Sequence, residues 1–248
     1  MLDGADLQRY KRQILYEGFG EEAQRSLKRS RVIVAGVGGL GCPASMYLAC
    51  AGVGHITLID HETVELSNLN RQVLHWEQDI GEKKVPSASR KLTGLNPSIE
   101  VKALELEITD ANARNLVREA DVVVDALDNF ETRSVLNRAC VSEGVPLVHG
   151  GVWGFNGEVT TIVPGQTPCL ACIYPQEPRE MKPVPVFGAS PGLIGIIQAT
   201  EALKLVAGVG RPLAGKMLYV NQANMDFAFR ELVRDPDCRV CGRGKETA

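Results

Sequence analysis

The sequence predicts an α/β fold: a doubly wound, mostly parallel sheet with a C-terminal antiparallel extension. Three observations carry this. Short β-branched runs alternate with helical patterns through the first 150 residues, a glycine loop joins the first run to its helix, and after residue 150 the alternation stops. Alternation of this kind puts strands side by side and helices on both faces of the sheet.

The elements follow in order. The first twenty residues are amphipathic and expected to be helical. VIVAG (32–36) is the first strand, followed by a helix from about Leu40 to Ala51 and by HITLID (55–60). After the loop 61–80 come a helix through Arg90 and Leu95, the strand IEVKALELE (99–107), a helix near 110–119, and DVVVDAL (121–127). A helix over 131–143 leads to VPLVHG (145–150). Beyond it, GFNGEVTTIVPG reads as a hairpin-like strand pair. The proline-rich stretch 174–192 is predicted to be an extended crossing segment, because proline removes a donor and restricts its neighbour. LIGIIQATEALKLVAG (193–208) is a helix stopped by glycine, and KMLYVN (216–221) is one further strand.

A chain of 248 residues with 44% apolar residues is long enough for one large domain with a substantial core. The net charge of −3 gives no support for nucleic-acid binding. No apolar run is long enough to span a membrane, and MLDGADLQRYKRQ lacks the apolar core of a signal peptide, so a cytoplasmic location is expected.

Gly36-x-Gly38-x-x-Gly41 follows a strand and opens a helix, the Rossmann-like arrangement. Glycines there let the backbone approach phosphate oxygens, and the helix N-terminus supplies amide donors. Asp60 ends the next strand nineteen residues after Gly41, where a carboxylate can accept ribose hydroxyls. The plainer reading is that these glycines only permit tight helix–strand packing. The motif alone does not choose between NAD and ATP.

The following loop favours ATP. DHETVELSNLNRQ (60–72) brings Asn68, Arg71 and Gln72 directly after the acid, and a guanidinium grips phosphate oxygens bidentately. Lys84 in GEKK (81–84) adds a point charge; read alone, Lys83 and Lys84 are a solvated helix face. Asp128 stands at the carboxyl end of a strand, where open α/β sheets bind ligands, and suits Mg²⁺ on phosphates; the alternative is a helix N-cap. The histidines 55, 61, 75 and 149 are expected to be structural.

Seven cysteines in a chain read as cytosolic need an explanation other than disulfides. Cys169-x-x-Cys172 and Cys238-x-x-Cys241, separated by 65 residues, can close a four-sulfur site and staple the C-terminal tail to the body. Zinc is the expected metal, with no coordination position left open; a redox pair or unrelated core cysteines are the alternatives. Cys42, Cys50 and Cys140 lie in apolar helical stretches and are expected to be buried.

Taken together, RYxRQ (9–13), GVGGLG (36–41), DxxxVxxSNLNRQ (60–72), GxxK (81–84) and DxxDN (125–129) resemble the MoeB/ThiF/HesA family of ubiquitin-activating-type adenylyltransferases. The resemblance runs from Arg9 to Cys241 in the family's order. It implies a single adenylation domain, with a nucleotide-binding half (1–150) and a carrier-binding, zinc-bearing half (151–248). It implies that the backbone at Gly38 and Gly39 cradles ATP, that Asp60 holds the ribose, and that Asn68, Arg71 and Lys84 handle the phosphates. Asp128 would take Mg²⁺, Arg12 would act across a homodimer, and the zinc would be structural. The implied reaction adenylates the C-terminal glycine of a small ubiquitin-fold sulfur-carrier protein, recognised by its Gly-Gly tail. Competing readings are a non-catalytic nucleotide-binding scaffold and an NAD-dependent oxidoreductase.

One departure stands out. Many relatives carry a further cysteine in the crossing segment, and alignment on FGASPGLIG (187–195) puts Val184 there. No cysteine lies between Cys172 and Cys238. Adenylation is expected without a covalent carrier adduct. The chain stops seven residues after Cys241, so no rhodanese-like domain is expected and sulfur would come from a separate donor.

Overall fold

The computed structural model describes residues 1–176, 178 and 184–242. The chain opens with α1 (Gly4–Arg9), α2 (Lys11–Ile14) and α3 (Gly20–Arg29). It continues through β1 (Arg31–Ala35), α4 (Gly41–Ala51), β2 (His55–Ile59), α5 (Lys84–Leu95) and β3 (Glu100–Leu104). Next come α6 (Ala113–Val117), β4 (Val122–Asp125), α7 (Phe130–Glu143), β5 (Leu147–Trp153) and β6 (Asn156–Ile162). The last elements are α8 (Leu170–Ile173), α9 (Ala189–Ala207), β7 (Lys216–Asn221) and β8 (Asp226–Glu231).

The strands form one sheet in the order β3-β2-β1-β4-β5-β6-β7-β8. The first five are parallel, and β6, β7 and β8 each run antiparallel to the strand before. On β1, Val32 and Val34 enter the core cluster containing Leu48, Leu92 and Ile194, while Ile33 and Ala35 enter the one containing Val123, Leu136 and Leu147. Both faces are covered, which is why the parallel strands read as continuous apolar runs. From β1 the crossovers run outward in opposite directions, so the loops after β1 and β4 meet at the topological switch point, where such sheets bind ligands.

The structure differs from the sequence reading in four places. GFNGEVTTIVPG is one strand, β6, whose hairpin partner is the preceding β5, with Trp153 opposite Asn156. A two-residue turn, Gly154–Phe155, with Gly154 at φ +59°, makes that reversal. A further strand, β8, closes the sheet. The N-terminal helical region breaks into short pieces and extends to Arg29. Helix α9 starts four residues earlier than expected, at Ala189, since Pro191 fits a first helical turn whose amides have no partner. Of the proline-rich crossing segment, residues 177 and 179–183 lie outside the described residues, and Val186 bridges Gly154.

The N-terminal helices dock on the far end of α4. Gln13 Nε2 donates to the Ala51 carbonyl at 2.7 Å, Gln24 to the same oxygen at 3.1 Å, and Asn96 Nδ2 to both Tyr10 and the Ala49 carbonyl. No described helix is long and apolar enough to cross a membrane.

Candidate active site

The glycine loop is built from close approaches. Gly36 has φ +91°, and a Cβ there would stand 2.6 Å from the Ala126 carbonyl oxygen; a Cβ on Gly41 would stand 1.9 Å from the Gly36 oxygen. Both positions exclude a side chain. Gly38 and Gly39 differ. Their nearest neighbours are Gln72 at 3.6 Å, and Pro191 at 3.1 Å with Arg71 at 3.4 Å, all of them side chains. No side chain caps the N-terminus of α4; within its first turn Cys42 donates to the Gly38 carbonyl at 3.0 Å and Pro43 has no amide hydrogen. His75, buried between Ser87 and the Val37 carbonyl at 2.9 Å, ties the loop to α5. Burial lowers its pKa, so it serves as a neutral strut.

Asp60 accepts from the Val37 and Glu62 amides at 2.8 Å each, which fixes its carboxylate beside the loop and leaves lone pairs for hydroxyl donors. Asn68 is buried and its side-chain oxygen accepts from the Glu65 amide at 3.1 Å. Arg71 donates to the Ser67 carbonyl and to Asn70, neither of them an anion. Gln72 is buried, with its Nε2 facing Gly38 and its Oε1 without a hydrogen-bond partner. Lys84 is 3% exposed, with its ammonium 2.5 Å from Glu62, whereas Lys83 pairs with Glu105 on the surface. A nearly dry lysine beside the glycine loop is not a solvated helix face.

Asp128 is exposed past the end of β4, with Asn129 Nδ2 3.4 Å from its Oδ1. The N-cap of α7 is Asn129, which accepts from the Thr132 amide, so Asp128 is free of capping duty. Arg12 sits apart from all of these. Its neighbour Gln13 is bonded to Ala51, at the opposite end of α4 from Gly41, and an eleven-residue helix spans roughly 16 Å.

The structure adds a buried polar group that the sequence reading missed. Behind the Asp128 loop, Asp125 Oδ2 meets His149 Nδ1 at 2.7 Å, and Arg133 Nε stands 3.6 Å from Oδ1. Glu158 lies 3.7 Å from the other His149 nitrogen and accepts from the Tyr174 hydroxyl. Burial disfavours an ionised Asp125, but Arg133 and His149 outweigh it and hold its pKa below the usual range. Burial also disfavours a charged His149, yet the bond to Asp125 and the nearby Glu158 carboxylate win and raise its pKa. No spacing rule joins five residues from β4, α7, β5, β6 and the end of α8. The available signal was a histidine in the apolar run VPLVHG.

The four paired cysteines come together as expected: their sulfurs all lie within 4.8 Å of one another, with Cys169–Cys238 at 3.7 Å and Cys172–Cys241 at 3.4 Å. A tetrahedral ion with bonds of about 2.3 Å needs sulfur–sulfur edges near 3.8 Å, so the donor set fits zinc. Burial pushes the Cys238 thiol up, but the Cys241 and Val240 amides outweigh it and bring the pKa down to about 7, toward the thiolate a metal takes. Among the other three, Cys42 and Cys140 are buried, while Cys50 is exposed, contrary to expectation. Its place near the C-terminus of α4 puts its sulfur on the solvent side of an otherwise apolar helix.

A doubly wound sheet with a glycine-rich loop at its switch point, flanked by a carboxylate, a guanidinium and a buried ammonium, defines a nucleotide-binding protein of the α/β class. The ThiF family model matches residues 10–240. The SAMP-activating enzyme E1 of Haloferax volcanii is 45% identical over 98% of this chain and 92% of its own. The molybdopterin-synthase adenylyltransferase of Escherichia coli is 40% identical over 98% and 99%. A crystal structure of Escherichia coli MccB with ATP superposes with a TM-score of 0.85 at 30% identity, over 94% of this chain and 73% of that one. The chain belongs to the ThiF family.

Proposed function

We propose that this protein is an adenylyltransferase that activates the C-terminal glycine carboxylate of a small ubiquitin-fold sulfur-carrier protein. The relatives support it: an adenylyltransferase of molybdopterin synthase and one of a sulfur carrier protein from Thermus thermophilus, each 40% identical to this chain. The observation that carries the reading is the burial of Lys84 beside a glycine loop whose Gly38 and Gly39 face Gln72 and Arg71.

The chemistry follows from these charges. The carrier carboxylate is ionised at neutral pH and needs no general base. One of its oxygens attacks the α-phosphorus of ATP, the bond from that phosphorus to the bridging oxygen breaks, and pyrophosphate leaves with the electron pair. What the site supplies is alignment and neutralisation of phosphate charge. The Gly38–Gly39 backbone and the α4 N-terminus cradle the phosphates, and Asp60 accepts the ribose hydroxyls. Asn68 and Gln72 offer amide groups, and Gln72 Oε1 has a free acceptor to pair. Arg71 and Lys84 turn from neutral or single-carboxylate partners to the phosphates. Asp128, exposed and uncommitted to capping, would hold Mg²⁺, which neutralises phosphate charge when bound.

Arg12 serves the neighbouring subunit of a homodimer in this reading. Its placement at the far end of α4 supports that. Zinc on Cys169, Cys172, Cys238 and Cys241 is structural, tying the C-terminal tail to α8. The nucleotide half is residues 1–150, and residues 151–248 carry the zinc and bind the carrier. The setting is cytoplasmic, and a separate donor delivers sulfur to the acyl-adenylate.

Calorimetric titration of the purified protein tests the nucleotide. ATP with Mg²⁺ is expected to bind, and NAD to give no heat; tight NAD binding with no response to ATP would remove the adenylation reading.

A further inference from the structure

We propose that Tyr174, Glu158, His149 and Arg133 act together as positioning residues that tie the four-cysteine site to the loop carrying Asp128. Only the kinetic arm of the test rests on the adenylation reading.

The connection is continuous. Tyr174 lies two residues past Cys172, and its amide closes the last turn of α8 on the Leu170 carbonyl at 2.7 Å. Its hydroxyl donates to Glu158, the same oxygen that faces His149. His149 bonds Asp125, and Asp125 sets the place of Arg133. Arg133 Nη2 donates to the Leu127 carbonyl and, at 2.9 Å, to the Gly150 carbonyl. Leu127 immediately precedes Asp128, so the guanidinium fixes the peptide from which that carboxylate hangs.

Two features separate this group from ordinary core packing. Buried ion pairs are no more stabilising than well-packed apolar side chains of the same volume, so stability alone does not call for four ionisable groups here. With His149 charged, two carboxylates face two cations and the group is neutral. Its bonding is also incomplete: Arg133 Nε and His149 Nε2 are buried without hydrogen-bond partners. Each stops short of a carboxylate, at 3.6 Å and 3.7 Å. A shift of less than about an ångström closes either contact, since a donor–acceptor pair closes near 3 Å. Such a half-closed network transmits small displacements of α8 to the Asp128 loop.

The test uses the full-length, zinc-loaded protein. Tyr174→Phe removes only the hydroxyl and keeps the ring that packs edge-on against Phe130 and His149. Glu158→Gln keeps shape and removes charge. Both are expected to speed amide hydrogen exchange at residues 126–129 by about tenfold, with β1 and the zinc content unchanged. In the kinetic arm both lower kcat by about ten- to a hundredfold, with KM for ATP within about twofold, as misplacement of a reacting group does. The groups facing His149 are Asp125 from β4, Arg133 from α7, Glu158 from β6 and Tyr174 past α8. Glu158→Gln removes one of its two carboxylates, so its imidazolium loses its proton at lower pH. Turnover of that variant should then fall at lower pH than that of the wild type as the pH is raised. Unchanged exchange at 126–129 in both variants overturns the proposal. Faster exchange there in a protein that adenylates nothing sustains it and counts only against the adenylation reading.

Discussion

Two adjacent lysines show how much one side chain's environment decides. Lys83 pairs with Glu105 in water, a contact worth little, while Lys84 is carried inward by the first turn of α5 to meet Glu62. Sequence pattern marks both as a helix face; which one turns in depends on the helix start, which tertiary packing sets. The cysteines divide the same way. Cys42 is pushed up to about 12 by burial, and burial raises Cys140 further. Cys50 is exposed, but lies nine residues along α4 from Gly41, roughly 14 Å from the glycine loop. Val184 is 40% exposed and has no nucleophile to offer. Incubation with ATP and carrier is therefore expected to release pyrophosphate with no reductant-sensitive enzyme–carrier adduct on denaturing gels. A covalent adduct mapped to any cysteine here would refute this point alone.

At the scale of elements, the parallel half was legible because β-branched runs buried on both faces carry a strong signal. The C-terminal half was harder. Strand β8 is exposed along its whole length, so DFAFRE has no buried face to impose alternation against a core. The register of β5 with β6 depends on the Gly154–Phe155 turn, which a composition reading placed one element late. Helix α9 was legible as a helix, but not its closeness to the loop: a Cβ on Gly195 would lie 2.3 Å from the Leu40 carbonyl. Helix α8 has only four residues, too few to persist alone, and the four sulfurs at its end explain its place. Metal analysis of protein purified without chelator is expected to give about one zinc per chain. Cys241→Ser should lower the melting temperature, because zinc affinity is folding free energy at such a site. A metal-free native protein of unchanged stability would contradict this.

For the whole molecule, the question is which subunit completes the site. Asp60 and Arg71 stand at the glycine loop, while α2 holds Arg12 at the other end of α4. The motifs named Arg12 as a site residue; its distance from its own loop is a property of the docked helices and was not legible in spacing. Two-fold dimers place one surface against its own copy, so a residue remote in one chain can reach its partner's site. Mixing Arg12→Ala with Asp128→Ala chains should then restore activity toward a quarter to a half of wild type, since a mixed dimer keeps one intact site. No recovery despite confirmed subunit exchange would place Arg12 in its own subunit's site or in none. The central claim is that these charges adenylate a carrier's terminal carboxylate. Isotope exchange between pyrophosphate and ATP, with and without a ubiquitin-fold carrier ending in Gly-Gly, measures that step directly. Exchange that requires the carrier and its terminal glycine is the predicted result, and no exchange with any such carrier, in protein that binds ATP and Mg²⁺, would contradict it.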